Sequence, residues 1–182
     1  MEKYSRIKAL ISLDAIRYNF EQMKKNIKEG TKIIAVIKAD AYGHGAVPIA
    51  RMLEEFDYIW GFAAATAQEA LQLRKAGITR PILILGLVFE EYYKKLAEND
   101  VRMAVCDYET ARKFNKAAEA AGKKGLIHLA ADTGMTRIGF KDREESLEEI
   151  RRIAALPNVE IEGLFTHFAR ADEYDRTPAM VQ

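Results

Sequence analysis

The sequence predicts an α/β protein built on a parallel β-sheet, and two features carry that prediction. Six short apolar runs rich in Val, Ile and Leu recur along the 182 residues, and longer stretches with helical periodicity separate them. Several of the runs are apolar on both faces, which is typical of strands buried on both sides of a parallel sheet. We therefore predict strands at residues 32–37, 58–64, 81–85, 101–106, 126–131 and 159–165.

The first two predicted helices have clear signals at their ends. Ser12 is suited to cap an early helix whose apolar residues fall on one face, namely Ile16, Phe20, Met23 and Ile27. Thr66 and Glu69 have the spacing of a capping box, and Gly77 is well placed to end the helix that they begin.

The remaining helices are predicted from similar signals. A short helix is expected over residues 90–99. Asp107 can cap a longer helix that ends near Gly122, and Asp142 can open another that Pro157 closes. Each predicted strand is thus followed or preceded by a helix, as parallel strands need for their right-handed crossovers.

Two architectures fit this alternation: an open doubly wound sheet and a β/α barrel. Residues 38–45, Lys-Ala-Asp-Ala-Tyr-Gly-His-Gly, match neither the dinucleotide-binding fingerprint nor the P-loop, which weakens the doubly wound alternative. A barrel closes with eight strands, whereas six are predicted here, and residues 177–182 look like the start of a further element. If the sheet is a barrel, we expect it to be incomplete.

The composition argues against several classes of function. The formal net charge is +1, which gives no electrostatic reason to expect nucleic acid or an anionic membrane as a partner. The single cysteine, Cys106, lies in an apolar run and is expected to be a buried, inert thiol. The three histidines show no metal-ligand spacing, and no segment is long and apolar enough to span a bilayer. We expect a reduced, cytoplasmic protein without a secretion signal or a metal site.

Reactive residues of parallel α/β folds gather at the carboxyl ends of the strands, where four side chains stand out. Lys38, after the first strand, could be a partly desolvated, nucleophilic amine or a lysine that extends to water. Tyr42 could donate its hydroxyl to a phosphate or simply pack. Arg137, in a glycine-containing loop, could bind a carboxylate or phenolate or be solvated. His167 could stack on a flat cofactor ring or be an ordinary core histidine.

Four segments of the sequence resemble one family. Residues 35–45, Ala-Val-Ile-Lys-Ala-Asp-Ala-Tyr-Gly-His-Gly, resemble the segment to which alanine racemases attach pyridoxal 5'-phosphate (PLP). Residues 132–140 and 163–173 resemble two further segments, in the family's order and with suitable spacing, and residues 11–19 are similar to the family's start. The chain, residues 1–182, is accordingly identified as a truncated PLP-binding N-terminal β/α barrel domain of an alanine racemase.

The resemblance implies a fold and a set of roles. The fold is a TIM-type barrel that carries PLP, followed in whole family members by a β domain that has no counterpart in this chain. Lys38 would form the Schiff base with PLP and act as one of two bases that interconvert L- and D-alanine, a reaction that supplies D-alanine for peptidoglycan. Tyr42 would bind the cofactor phosphate and His167 would stack on its ring. Arg137 would approach the cofactor's ring oxygen and the substrate carboxylate.

The chain also departs from the family's pattern. Family members are homodimers and are considerably longer, and their second base is a tyrosine from the β domain of the partner subunit. Ala130 stands where many relatives carry a lysine, often carbamylated, that braces the arginine matching Arg137. Arg170 is unusual in its segment. This fragment alone is therefore expected to be poorly active.

Two alternatives to an alanine racemase stay open. One is a non-catalytic PLP-binding barrel of the PLP homeostasis type, which consists of a barrel alone, although its lysine segment does not look like residues 35–45. The other is a racemase of a different amino acid, such as serine or lysine. Only the substrate pocket would distinguish that second alternative from an alanine racemase.

Overall fold

The computed structural model describes residues 7–181 and contains one parallel sheet of six strands. Residues 1–6, which bear on the expected absence of a secretion signal, and residue 182 lie outside the described residues. All six predicted strands are confirmed, each to within one residue at either end. They are β1 (Ile33–Val36), β2 (Ile59–Ala64), β3 (Ile82–Ile84), β4 (Val101–Val105), β5 (Gly125–Ala131) and β6 (Val159–Thr166).

The strands lie side by side in the order of the sequence, and every neighbouring pair is parallel. The sheet is curled, because one cavity on its inner face is lined both by Ile34 and Val36 of β1 and by Leu164 and Phe165 of β6. The predicted α/β class and TIM-type barrel are therefore confirmed, and the described strands form a curled half-barrel.

Helices connect the strands and pack on the outer face of the sheet. A 3₁₀ turn at Glu90–Tyr92 leads into the fifth of them. No helix within residues 7–181 combines the length and the apolar character needed to cross a bilayer. The helices are α1 (Leu13–Lys25), α2 (Lys38–Tyr42), α3 (Ala46–Leu53), α4 (Ala67–Lys75), α5 (Tyr93–Glu98), α6 (Tyr108–Ala120), α7 (Glu144–Ala154) and α8 (Thr177–Val181).

Most of the predicted helix ends are confirmed by side-chain contacts. The hydroxyl of Ser12 accepts a hydrogen bond from an amide in the first turn of α1, and the carboxylate of Asp107 does the same for α6. Thr66 and Glu69 form the predicted capping box at the start of α4. Gly77 follows the end of α4 with a φ of 86°, a left-handed conformation that glycine adopts without steric cost.

Three helices differ from the prediction. Asp142 does not open α7, because the helix begins at Glu144 and its N-cap is Arg143. The backbone of Phe140 is still bridged to Ala131 of β5, so the chain leaves the sheet too late for Asp142 to be the cap. Helices α2 and α3 are absent from the prediction, although Pro48 in the first turn of α3 is a typical start signal.

The main apolar core lies between the sheet and the helices. Phe62 of β2, Leu53 of α3 and Phe114 of α6 are fully buried there. Burial of a large apolar side chain contributes about 1.5–3 kcal/mol to stability. Gly125 lets α6 approach β5 closely, because a Cβ at that position would lie 2.7 Å from the Phe114 ring.

A charged cluster lies on the inner face of the half-barrel, towards the amino ends of the strands. Glu162 of β6 accepts two hydrogen bonds of 2.8 Å from Arg102 of β4, and its Oε2 lies 3.0 Å from Nε2 of His128 on β5. The Arg102 guanidinium lies 5.7 Å from the centroid of the Trp60 ring on β2. A Cβ at Gly163 would lie 2.7 Å from the His128 ring, so this glycine makes room for the imidazole. The cluster thereby connects four strands across the inside of the curl.

Glu162 should make the stability of the fold depend on pH. The hydrogen bonds from Arg102 are the main reason that its pKa lies below the usual value of 4.5; His128 acts in the same direction and burial opposes both. A carboxyl whose pKa is lowered by folding stabilises the fold above its unfolded pKa, and that contribution is lost as the pH falls through the folded value. We expect Glu162→Gln to lower the free energy of unfolding by about 1–2 kcal/mol at pH 7, measured by urea denaturation.

The difference between the two proteins should shrink as the pH falls below about 4.5 and through the lower folded pKa of Glu162, because its protonated carboxyl is then neutral, as glutamine is at every pH. Glu160→Gln is the matched control, because Glu160 lies on the same strand but forms no ion pair within the described residues. A Glu162→Gln protein that unfolds at the same urea concentration as the Glu160→Gln protein at pH 7 would contradict this account.

Candidate active site

Lys38 begins α2 directly after Ile37, which is buried at the carboxyl end of β1. Lys38 itself is half-buried, and its Nζ lies 6.0 Å from the centroid of the Tyr42 ring. Tyr42 is 60% exposed, so its hydroxyl is accessible to a ligand. The two residues are therefore neighbours at the end of the half-barrel where reactive groups of this fold are found.

The turn that carries Lys38 has an uncommon backbone conformation. Ala39, Asp40 and Ala41 have φ values of 50°, 51° and 53°, and Tyr42 follows at 55°. The left-handed conformation costs a non-glycine residue about 1–2 kcal/mol, although aspartate tolerates it better than most. Such a turn persists only where its surroundings hold it. The contacts of α2 therefore decide where Lys38 lies.

One carboxylate holds the beginning of this turn. Glu69 Oε1 accepts a hydrogen bond of 2.9 Å from the amide of Ala39. Its Oε2 accepts bonds of 2.8 Å from the amide of Ala65 and 3.3 Å from that of Thr66. The sequence predicts Glu69 only as a capping-box residue, because its contact with Ala39 spans 30 residues and leaves no local signal.

Neighbouring groups hold the end of the turn. Asp40 Oδ1 accepts a hydrogen bond of 2.8 Å from the first amide of α3. His44 Nδ1 lies 2.9 Å from the carbonyl oxygen of Ala41. Gly43 and Gly45 have φ values of 85° and 92°, so the chain leaves the turn through two residues that have no Cβ. Both ends of α2 are thus fixed by hydrogen bonds to other elements.

A cavity of about 340 Å³ lies on the inner face of the sheet. Its walls are mostly apolar, and Arg137, His167 and His128 contribute its large polar side chains. Its volume is within the range of about 300–1,000 Å³ that is usual for small-molecule sites. The other lining residues are Ile34, Val36, Ala63, Leu83, Leu85, Ala130, Ala131, Met135, Ile138, Gly163, Leu164, Phe165 and Thr166.

The loop that carries Arg137 closes back on β5. The amide of Phe140 donates a hydrogen bond to the carbonyl oxygen of Ala130, and the amide of Asp132 donates one to that of Phe140, each at 2.8 Å. Asp132 Oδ1 also accepts bonds from two amides inside the loop, at 3.2 Å and 2.8 Å. At Gly139, with a φ of 123°, a Cβ would lie 2.6 Å from the amide nitrogen of Asp132, so only glycine fits. This closure fixes the base of the loop next to the cavity.

The structure brings the predicted residues together in two pairs. Lys38 is next to Tyr42, and Arg137 lines the cavity together with His167. Lys38 is not among the residues that line the cavity, but Val36, two residues before it, is. The roles that the resemblance gives to these four residues therefore stay predictions, while their positions are compatible with one site.

Ala130 and Arg170 are the two residues expected above to depart from the family's pattern. Ala130 is buried in the cavity wall. Within residues 7–181, Arg137 forms no hydrogen bond or ion pair, and it lines the cavity together with Ala130. Arg170 forms an ion pair with Glu173, so its place in that segment has a local explanation.

The residues present fit PLP. PLP is a planar, anionic aldehyde. The mostly apolar cavity of about 340 Å³ has room for its ring, the arginine and imidazole in the wall suit its charge and its flat face, and the Lys38 amine beside the cavity suits its aldehyde. Cys106 is half-buried, and burial raises the pKa of its thiol, which makes it a weak nucleophile. In the described part of the chain, no group of three or more His, Cys, Asp or Glu side chains is arranged to hold a metal ion.

The chain is similar to known proteins in sequence. The family described as "Alanine racemase, N-terminal domain" matches residues 11–182. The alanine racemase of Methanococcus maripaludis is 43% identical over 174 residues, which cover 96% of this chain and 46% of that relative. The chain therefore spans less than half the length of this curated relative.

Solved structures agree with the sequence comparison. The alanine racemase of Clostridium difficile 630 in complex with cycloserine is 43% identical, with a TM-score of 0.91 over 94% of this chain and 47% of that one. The histidine racemase of Leuconostoc mesenteroides subsp. sake is 31% identical, with a TM-score of 0.84 over 94% of this chain and 45% of that one. The chain belongs to the alanine racemase family, whose N-terminal domain it carries.

Proposed function

We propose that residues 1–182 form the PLP-binding part of an amino-acid racemase whose substrate is alanine. One observation carries the proposal: Lys38 stands on a fixed left-handed turn at the carboxyl end of β1, beside a cavity that Arg137 and His167 line. An amine at this position is suited to bond covalently to an aldehyde. Membership of the alanine racemase family supports the same chemistry.

Each candidate residue has a proposed role in the reaction. The Nζ of Lys38 would hold the cofactor by bonding to its aldehyde carbon, with loss of water; once the substrate amine replaces it there, the freed Nζ would remove the proton from Cα on one face of the substrate. The Tyr42 hydroxyl would bind the cofactor phosphate, and the imidazole of His167 would stack on the ring. Arg137 would bind the substrate carboxylate and approach the ring oxygen, which would orient the Cα–H bond. When bound, PLP supplies the electron sink for the charge left on Cα.

Racemisation requires a base on each face of Cα, because the proton is removed from one side and returned to the other. Lys38 can serve one face. Since the chain spans less than half the length of the Methanococcus maripaludis and Clostridium difficile enzymes, we propose that the second base lies outside residues 1–182 and is supplied across a homodimer interface.

Two observations bear on the alternatives. The three similar proteins named above are racemases, which favours racemase chemistry over a non-catalytic PLP-binding barrel. The histidine racemase of Leuconostoc mesenteroides shows that a similar fold serves a different amino acid, so serine, lysine and histidine are secondary candidates for the substrate. We propose alanine first, with D-alanine for peptidoglycan made in the cytoplasm as the biological role.

Covalent attachment at Lys38 can be tested directly. After incubation with PLP and reduction with borohydride, peptide mapping by mass spectrometry should find the pyridoxyl group on the peptide that contains Lys38. Lys38→Ala should remove that label and the visible absorbance that accompanies binding. Lys32→Ala is the matched control, because Lys32 is exposed at the other end of β1 and should leave the label unchanged. A label that survives in Lys38→Ala would refute the assignment.

A polypeptide of residues 1–182 alone should interconvert L- and D-alanine at least about 100-fold more slowly than the Clostridium difficile enzyme, because one positioned acid–base group is worth about 10²–10⁴-fold. Chiral chromatography of the alanine formed measures the rate. Rapid conversion by the isolated polypeptide would contradict the need for a second base outside it.

Joining residues 1–182 to the part of the Clostridium difficile enzyme beyond the matched region should restore racemisation. Rates with alanine, serine, lysine and histidine then rank the substrates. A chimaera that carries the pyridoxyl label on Lys38 but racemises none of the four would instead favour the non-catalytic barrel.

A further inference from the structure

Glu69 uses its two carboxylate oxygens for different purposes. Oε2 serves the ordinary capping box of α4, where it accepts hydrogen bonds from the amides of Ala65 and Thr66. Oε1 accepts a hydrogen bond from the amide of Ala39, the residue directly after Lys38. A helix cap needs only the first of these oxygens, so the second contact requires a separate explanation.

The contact with Ala39 fixes the backbone on one side of Lys38, and the sheet fixes the other side. On the amino-terminal side, the amide of Ile37 donates a hydrogen bond of 2.9 Å to the carbonyl oxygen of Ala63. On the carboxyl-terminal side, the amide of Ala39 donates one of 2.9 Å to Glu69. Both acceptors belong to the same segment, the end of β2 and the beginning of α4. Lys38 is therefore held against that segment through the residues on either side of it.

The carboxylate is itself fixed in position. Glu69 is the third residue of α4, where the positive end of the helix dipole favours a negative charge. Its own amide donates a hydrogen bond of 3.3 Å to the Thr66 hydroxyl, and the residue is half-buried. An acceptor held in this way before any ligand binds is suited to define the geometry of a site.

We propose that Glu69 is the positioning residue of Lys38: it holds the left-handed turn of α2 in place beside the cavity and so fixes the point from which the lysine side chain extends. This inference rests on the proposed function, in which Lys38 bonds to PLP. Without the carboxylate, the exposed Ala39 amide loses its protein acceptor at the strained start of the turn. The turn can then relax to a less costly conformation and carry Lys38 away.

Glu69→Gln tests the proposal, because a glutamine side chain has the same size but only one accepting oxygen. Its one oxygen should stay with the two capping amides of Ala65 and Thr66, which leaves its NH2 group facing the Ala39 amide, a donor against a donor. Thr66→Ala is the matched control: it removes the other half of the capping box and leaves the carboxylate free to bind Ala39. Both variants weaken the start of α4, whereas only Glu69→Gln disturbs the turn.

Two measurements on the purified chain separate positioning from general stability. Hydrogen–deuterium exchange, without PLP, reports the protection of residues 38–45, with β4 and β5 as internal standards. Borohydride reduction at a fixed PLP concentration, followed by mass spectrometry, reports the fraction of Lys38 labelled. We expect Glu69→Gln to speed exchange in residues 38–45 at least tenfold and to reduce labelling at least tenfold. Thr66→Ala should change both by less than twofold.

The outcomes that overturn the proposal are distinct from failure of the proposed function. Labelling in Glu69→Gln that equals the unmodified chain, or an equal loss in Thr66→Ala, would show that Glu69 does not position Lys38. If the unmodified chain carries no label on Lys38, the proposed function fails. Separately, if hydrogen–deuterium exchange of residues 38–45 is unchanged in Glu69→Gln, Glu69 does not hold the turn in place. If β4 and β5 also lose protection in Glu69→Gln, Glu69→Asp replaces it, because its shorter side chain keeps the charge but cannot bridge both groups.

Discussion

Directly after β1 the backbone enters a left-handed turn, and the arrangement of the candidate site depends on the contacts that hold this turn in place. Ile37 is buried in the core, and four non-glycine residues with positive φ follow within the next five positions. This conformation is costly for each of them, so it persists through contacts from outside the turn. Glu69 of α4 holds its start, and Asp40 joins its end to α3. A long and flexible lysine side chain therefore has a fixed point of departure.

The inner face of the half-barrel has two regions along the direction of the strands: one contributes to stability and the other is the candidate site. Towards the amino ends, Arg102, Glu162 and His128 form a charged cluster that joins β4, β5 and β6. Towards the carboxyl ends lies the mostly apolar cavity that Arg137 and His167 line. His128 belongs to both regions, because it lines the cavity and contacts Glu162. The charged cluster thereby fixes the strands that line the cavity from the side of their amino ends, where residues of this class of barrel usually serve stability.

The strands were predictable because burial on both faces leaves continuous apolar runs, and most helix caps were predictable because they act within a few residues. The prediction that Asp142 caps α7 was wrong because the bridge from Phe140 to Ala131 delays the start of the helix. That bridge is a tertiary contact. The four candidate residues could be identified from their places after strands and from the resemblance. The left-handed turn and the contact of Glu69 with Ala39 could not be identified, since both depend on groups brought together only by folding.

The strict agreement between strand order and sequence order has a consequence for how the domain is made. Each strand pairs with the strands just before and after it in the chain, so no contact within the described sheet waits for a distant segment. Each pairing closes a single crossover, from 19 residues between Ile82 and Val101 to 34 residues between Gly125 and Val159. The strands are synthesised in the order in which they pair, so each new βα unit can pair with the edge strand that was synthesised just before it. The growing nascent chain can therefore assemble its sheet one unit at a time as it is synthesised.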